Sequence, residues 1–111
     1  MGPFTAGTVV LVRFPFSDLS QVKLRPAVVL AAADRADWLL CQITSNPYSD
    51  PHAVRLDDTH FETGSLRVTS FARPAKLFTA HETLIAAPIG QLKPGALQRV
   101  VAAIVRVLQP G

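Results

Sequence analysis

The sequence predicts a mainly β fold, a small closed barrel with a single helix packed against it. Three observations lead there. Runs of β-branched and aliphatic residues of strand length recur between breaks rich in Pro, Gly, Ser and Asp, with no helical segment between them, which argues against a parallel βαβ sheet. One amphipathic stripe follows at the C-terminus. The chain has 111 residues, 49% hydrophobic and only 17% charged, so residues 1–111 form one domain with enough apolar material for a core.

The elements follow in order. Thr8 to Phe14 is a β-branched run bounded by Gly7 and Pro15, hence a strand. Pro15 to Lys23 carries the Pro, Ser and Asp of a loop. Arg25 to Ala32 restarts a strand, in which Pro26 is expected near the beginning or on an edge because it lacks an N–H for the ladder. Asp34 to Asp37 reads as a hairpin turn, Trp38 to Ser45 as the returning third strand, and Asn46 to Asp50 as its break. Ala53 to Leu56 alternates briefly. Ser65–Phe71 and Ala75–Thr79 are strand candidates around Pro74, and Ile85–Ile89 is a short edge piece before Gly90. Five to seven strands result. Pro94 suits the first position of a helix, and Leu97, Val100, Val101, Ile104, Val105 and Leu108 then form one apolar stripe, stopped by Pro110 and Gly111. Val107 falls outside the stripe, where it could touch a neighbour.

Charge and composition bound the function. Eleven Lys and Arg against eight Asp and Glu give +3 and a pI near 9.6, which suits an anionic partner without identifying one. A mean hydropathy of +0.27 is high for a small domain; either much of the chain is buried or a surface meets a partner, most simply a second copy. The longest apolar stretch, Pro26 to Ala33, is too short to span a membrane, and the N-terminus does not resemble a secretory signal. Cys41 is the only cysteine, which excludes an internal disulfide and fits a reducing, cytoplasmic location.

Common catalytic signatures are missing. There is no Gly-rich phosphate loop, and no Ser stands in a nucleophile-elbow context. His52, His60 and His81 lack the spacing of a helical zinc site, so neither metal nor cofactor is expected. What remains is a polar cluster bracketing two strands. Ser17, Asp18, Ser20, Lys23 and Arg25 precede the second, and Thr44, Ser45 and Asn46 close the third. A hairpin through Asp34–Asp37 sets Arg25 opposite the region of Thr44 and Ser45, where a guanidinium beside hydroxyls could hold a phosphate. Spacing alone leaves open, and favours, a plainer reading: a solvated strand-end charge and a turn cap.

A family resemblance shifts that balance. The stretch Gly7 to Ser20, then Lys23-Leu24-Arg25-Pro26-Ala27-Val28-Val29-Leu30, resembles the opening of the MazF/PemK toxins, with the Arg-Pro pair as its most specific part. Ile43-Thr44-Ser45 is similar to the family's second motif. Arg73-Pro74, Lys76-Leu77-Phe78-Thr79, Ile89-Gly90-Gln91-Leu92 and the terminal helix follow in the expected order, so the likeness runs from about Gly7 to Leu108. It implies an SH3-like β-barrel of the MazF/PemK/CcdB type: a homodimeric, metal-independent ribonuclease that cuts single-stranded RNA at short sequences. Arg25 and Thr44 are then expected at the scissile phosphate. The loop Phe16 to Lys23, with Ser17, Asp18, Ser20 and Lys23, is expected beside the RNA, and Ser45, Asn46, Arg73 and Lys76 are further contacts. A small antitoxin with an acidic tail is the expected partner. The chain departs from some relatives in having Ala75 and His81 where they carry acids.

The implied chemistry is attack of the RNA 2′-OH on the adjacent phosphorus. An arginine does not readily surrender its proton, so Asp18, His60 and His81 are candidate bases, among which the sequence does not choose. Phe14, Phe16 and Phe71 are candidate base platforms, while Trp38 and Cys41 are assigned to packing and Lys93, Arg99 and Arg106 to the helix surface. Two rival readings share the fold: an interaction toxin such as a CcdB-like gyrase poison, and an RNA-binding module without cleavage.

Overall fold

The computed structural model describes residues 3–15 and 22–111. Along the chain run β1 (Thr8–Pro15), β2 (Val22–Asp34), β3 (Asp37–Thr44), β4 (Val54–Leu56), β5 (Phe61–Gly64), β6 (Ser70–His81), β7 (Ile85–Leu92) and α1 (Pro94–Leu108). Short 3-10 turns at Asp58–His60 and Glu82–Leu84 lead into β5 and β7. The strands form one curled antiparallel sheet in the order β4-β6-β3-β2-β1-β7-β5. The mainly β class with a C-terminal helix is as expected. The sheet's ends, β4 and β5, do not pair with each other, so the barrel is curled rather than closed through hydrogen bonds. Among the described residues no helix is long and apolar enough to cross a membrane.

The central strands are buried on both faces, which explains why their sequences read as unbroken apolar runs rather than alternations. On one face Val9, Val28, Cys41 and Ile43 pack with Ala96, Val100, Ala103 and Ile104 of α1. On the other, Val10, Val12, Ala27, Val29, Trp38 and Leu40 form a second cluster, edged by Phe4, Phe14 and Phe78. Cys41 and Trp38 are core residues, as expected. Cys41 Sγ also donates to the Arg73 carbonyl at 3.3 Å, and burial pushes its thiol up to about 12.

Several elements differ from the sequence expectation. Pro26 lies inside β2, a central strand, opposite Leu11 of β1. The Val29 carbonyl accepts from Gly7 N–H at 2.8 Å, so odd-numbered residues of this stretch turn their polar groups toward β1 and Pro26 turns its ring nitrogen toward β3. The β2–β3 ladder ends at Ala27–Gln42, so the missing donor falls where pairing has already stopped. β7 is no edge piece: it runs eight residues between β1 and β5. The two candidate strands around Pro74 are one strand, β6, beginning only at Ser70. β5 gave no sequence signal because Phe61 is its only buried residue.

The helix matches its prediction in extent and differs in which face it buries. Pro94 opens it and it ends at Leu108, before Pro110. Ala96, Val100, Ala103 and Ile104 are buried, whereas Val101, Val105 and Leu108 are 43%, 47% and 68% exposed. The apolar stripe is wider than the sheet can cover, and the alanines let the helix settle on its narrower side.

Candidate functional site

Where β2 and β3 part beyond Ala27–Gln42, a cleft of about 280 Å³ opens, lined by Lys23, Arg25, Pro26, Ile43, Thr44 and Ser45, with Leu66, Val68 and Ser70 closing it. Carrying the register on by two residues sets Arg25 across from Thr44, the pair that the hairpin reading joined. The row continues. Thr44 is paired with Phe71 of β6, and Phe71 with Arg55 of β4. Directly paired residues share a face, and this face is opposite the one that buries Ile43, Ala72 and Val54. Thr44, Phe71 and Arg55 therefore form one transverse line over strands about 4.8 Å apart, and Arg25 stands beyond its end, across the cleft. The line was not legible in the sequence, because β4 and β6 meet β3 only through long-range pairing.

Among the described residues the cleft is lined by two cations, Lys23 and Arg25, and by no carboxylate. Both cations make an interaction within the chain, so neither is a loose surface charge. Thr44 is held by its own turn: its Oγ1 accepts from Asn46 N–H at 3.1 Å and donates to the Asn46 carbonyl at 3.0 Å. Ser45 lines the cleft and is exposed.

Other expected contacts lie elsewhere. The Asn46 side chain accepts from Tyr48 N–H at 3.0 Å and shapes the loop after β3, where Tyr48 and Ser49 have φ of 53° and 62°. Arg73 and Lys76 sit in the irregular stretch of β6 around Pro74, outside the cleft lining. Arg73 Nε donates to Asp50 Oδ2 at 3.1 Å and its guanidinium lies 5.9 Å from the Tyr48 ring. The His52 N–H, and then Arg73, hold the Asp50 carboxyl below its usual value. Lys76 is exposed, as is Ala75 beside it. Ser17, Asp18, Ser20 and Phe16 lie outside the described residues.

Of the candidate bases, His81 is paired with Asp37, at the far end of β3 from Thr44. Seven residues of strand separate the two levels, about 23 Å. His60 is engaged in the cap of its 3-10 turn, its Nδ1 accepting from Asp57 N–H at 2.9 Å and its Nε2 lying 3.1 Å from Arg99 Nη1. Asp57 is held below its usual value chiefly by the Thr59 hydroxyl and N–H. Neither histidine lines the cleft. Phe14 packs on Phe78 with ring centroids 5.0 Å apart, whereas Phe71, the other expected platform among the described residues, is partly exposed beside Thr44. Arg55, which sequence reasoning passed over, is an exposed cation 3.7 Å from Asp57.

Solved structures share this architecture. MazF of a MazE–MazF crystal from Deinococcus radiodurans superposes with a TM-score of 0.74 at 20% identity, over 93% of this chain and 94% of that one. An endoribonuclease from a mycobacterial species, solved with its cognate antitoxin, gives 0.71 at 15% identity, over 97% and 95%. The Mycobacterium tuberculosis toxin MazF-mt6 gives 0.69 at 15%, over 91% and 95%. At such identities the likeness speaks for the fold. No curated protein matches the chain. Residues 5–108, from before β1 to the end of α1, match the family described as PemK-like, MazF-like toxin of type II toxin-antitoxin system. With the fold and nearly the whole length of the chain in agreement, the protein belongs to that toxin family.

Proposed function

We propose that the protein is a sequence-specific, metal-independent endoribonuclease that cleaves single-stranded RNA. The observation that carries this reading is the convergence of Arg25 and Thr44, from separate strands, on one cleft whose described lining holds no carboxylate. In the reaction the RNA 2′-oxygen attacks the adjacent phosphorus and the bond to the 5′-oxygen breaks. The products are a 2′,3′-cyclic phosphate and a 5′-hydroxyl. The nucleophile is already tethered beside its target, so positioning supplies much of the rate. Arg25 neutralises the charge that grows on the phosphoryl oxygens, the electrostatic contribution that is usually largest, and Thr44 donates to the same phosphate. Arg25 remains protonated throughout. Lys23 and Ser45 line the path of the strand, and Phe71 offers a stacking surface one strand beyond Thr44.

The cognate partner is an antitoxin that blocks this cleft, in keeping with the MazF and mycobacterial relatives solved with theirs. The functional unit is a homodimer, a reading supported by the exposed Val101, Val105 and Leu108 on one side of α1.

The test is incubation of purified protein with single-stranded RNA in EDTA, with the new ends mapped. Cyclic-phosphate termini that vanish in Arg25→Ala are expected. Binding without cutting would favour an RNA-binding module. Growth inhibition untouched by Arg25→Ala would favour a gyrase poison.

A further inference from the structure

Next to the Arg25–Thr44 cleft lies a larger hollow of about 620 Å³. Its floor is aliphatic, made by Leu11, Pro26 and Ile89 from the neighbouring strands β1, β2 and β7, and its wall is the segment 64–67. Pro26 and Leu66 also line the catalytic cleft, so the hollow adjoins it. A strand of RNA with a phosphate at Arg25 and Thr44 thus has room in the hollow for a neighbouring base.

Arg67 stands on the rim with its backbone at φ 71°, a conformation that a side chain bearing Cβ rarely adopts and that glycine adopts freely. Ser65 holds it there: its Oγ accepts from Arg67 N–H at 2.8 Å and donates to Asp58 Oδ1 at 2.7 Å. The Arg67 guanidinium has no ion pair or hydrogen bond among the described residues. A position chosen for its backbone alone would carry Gly or Asn. The chain instead keeps a long cation there, pointing to a use for its head group.

We propose that Arg67 reads the base beside the cleaved phosphate, a reading that rests on RNA being the ligand of the adjacent cleft. The base lies on the aliphatic floor and the guanidinium binds its edge. The planar fork matches the paired acceptors O6 and N7 of guanine, so a guanine is the expected base. A nucleobase fits better than a peptide side chain because the hollow adjoins the cationic cleft and its described lining contains no acid.

The test is selection from a random single-stranded RNA pool, sequencing both the cut ends and the RNA retained on the protein, for wild type, Arg67→Gly and Arg67→Lys. Arg67→Gly relieves the backbone conformation, so the fold is expected to hold. It should cut more slowly, with guanine preference at one position beside the cut reduced about 5- to 150-fold. Arg67→Lys keeps the charge without the fork and should lose the preference while retaining most of its RNA affinity. Unchanged preference in both variants overturns the proposal, as does an equal loss across all sequences, the mark of a phosphate contact. An effect confined to binding of an acidic peptide overturns it too. If wild type selects a base among retained RNAs but does not cut, the nuclease reading fails while the Arg67 assignment stands. If Arg67→Gly does not fold, Arg67→Lys decides.

Discussion

Removing Arg25 and removing Thr44 should have unequal effects, and the geometry sets the ratio. The Thr44 hydroxyl already donates to the Asn46 carbonyl and accepts from the Asn46 N–H. In the proposed complex with RNA it would exchange the first of these bonds for one to a phosphate oxygen while keeping the second, which holds the oxygen in place. The gain is therefore a difference: a neutral hydrogen bond is worth about 1 kcal/mol and one to a charged group about 1.5–3 kcal/mol. That leaves roughly 0.5–2 kcal/mol, or about 2- to 30-fold in rate. Arg25→Ala removes a fixed charge and its donors, and losing even one preorganised donor typically costs about 10²–10³-fold. Arg25→Ala should thus be the more damaging, by at least about threefold.

The two losses should also fail to multiply. Without Arg25 the phosphate is no longer held near the hydroxyl, so Thr44→Val adds little in an Arg25→Ala background, with a coupling of about 0.5–2 kcal/mol, close to the whole Thr44 effect. The assay is single-turnover cleavage of a short RNA, with circular dichroism as a control because Thr44→Val also loosens the turn at Asn46. Thr44→Ser should restore most of the activity. A Thr44→Val defect larger than that of Arg25→Ala, or two defects that multiply, would refute convergence on one phosphate.

Three further outcomes follow from the same structure. Gly64 has φ +72°, and a Cβ there would sit 2.1 Å from the Ile89 carbonyl oxygen; Gly64→Ala should prise β5 from β7 and cost about 3 kcal/mol or more, read as a lowered midpoint in urea. Asp50 is bound by the His52 N–H and by Arg73, which lower its pKa from the ordinary 3.8. Its contribution to stability is complete above that value and lost as pH falls below it, so Asp50→Asn should be less stable at neutral pH and show a flatter acid limb in urea titrations. Cys41 is fully buried with its thiol at about 12, so at pH 8 it should resist maleimide until the protein is denatured; labelling of native protein at the rate of a free thiol would contradict this.

The sequence made local structure legible and left long-range pairing dark. The hairpin of β2 and β3 could be read because its two apolar runs are separated only by a short polar turn, and its register joined Arg25 to Thr44. β5 could not, since Phe61 to Gly64 buries one side chain and has no period. The line from Thr44 to Phe71 and Arg55 could not either, since it depends on where β6 and β4 dock rather than on any spacing along the chain. The family resemblance added the roles of residues already grouped by the hairpin. It also drew in Arg73, Lys76 and Asn46, whose described partners give the first an Asp50 ion pair and the last a turn to hold. The burial of α1 was misjudged because periodicity counts Val101, Val105 and Leu108 equally with Val100 and Ile104, although only part of an apolar stripe meets the sheet.

Pro26 ties these observations together. It faces β3 without an N–H at the level where the β2–β3 ladder stops, and it lines both the cleft and the adjoining hollow. A residue with an N–H there would offer a donor toward β3 at the level of Ile43 and let the ladder run on, drawing the strands together where Arg25 and Thr44 are proposed to receive a phosphate. The proline thus keeps the fork open by refusing one hydrogen bond. In Pro26→Ala the added bond, about 1 kcal/mol, is offset by the greater freedom of the unfolded chain, about 0.4–1 kcal/mol, so stability should hardly change. Cleavage should nevertheless fall, and the new amide at position 26 should be protected from hydrogen exchange. A Pro26→Ala protein that cuts as fast as wild type with that amide protected would show that closing the fork does not hinder the reaction, and that the phosphate binds elsewhere.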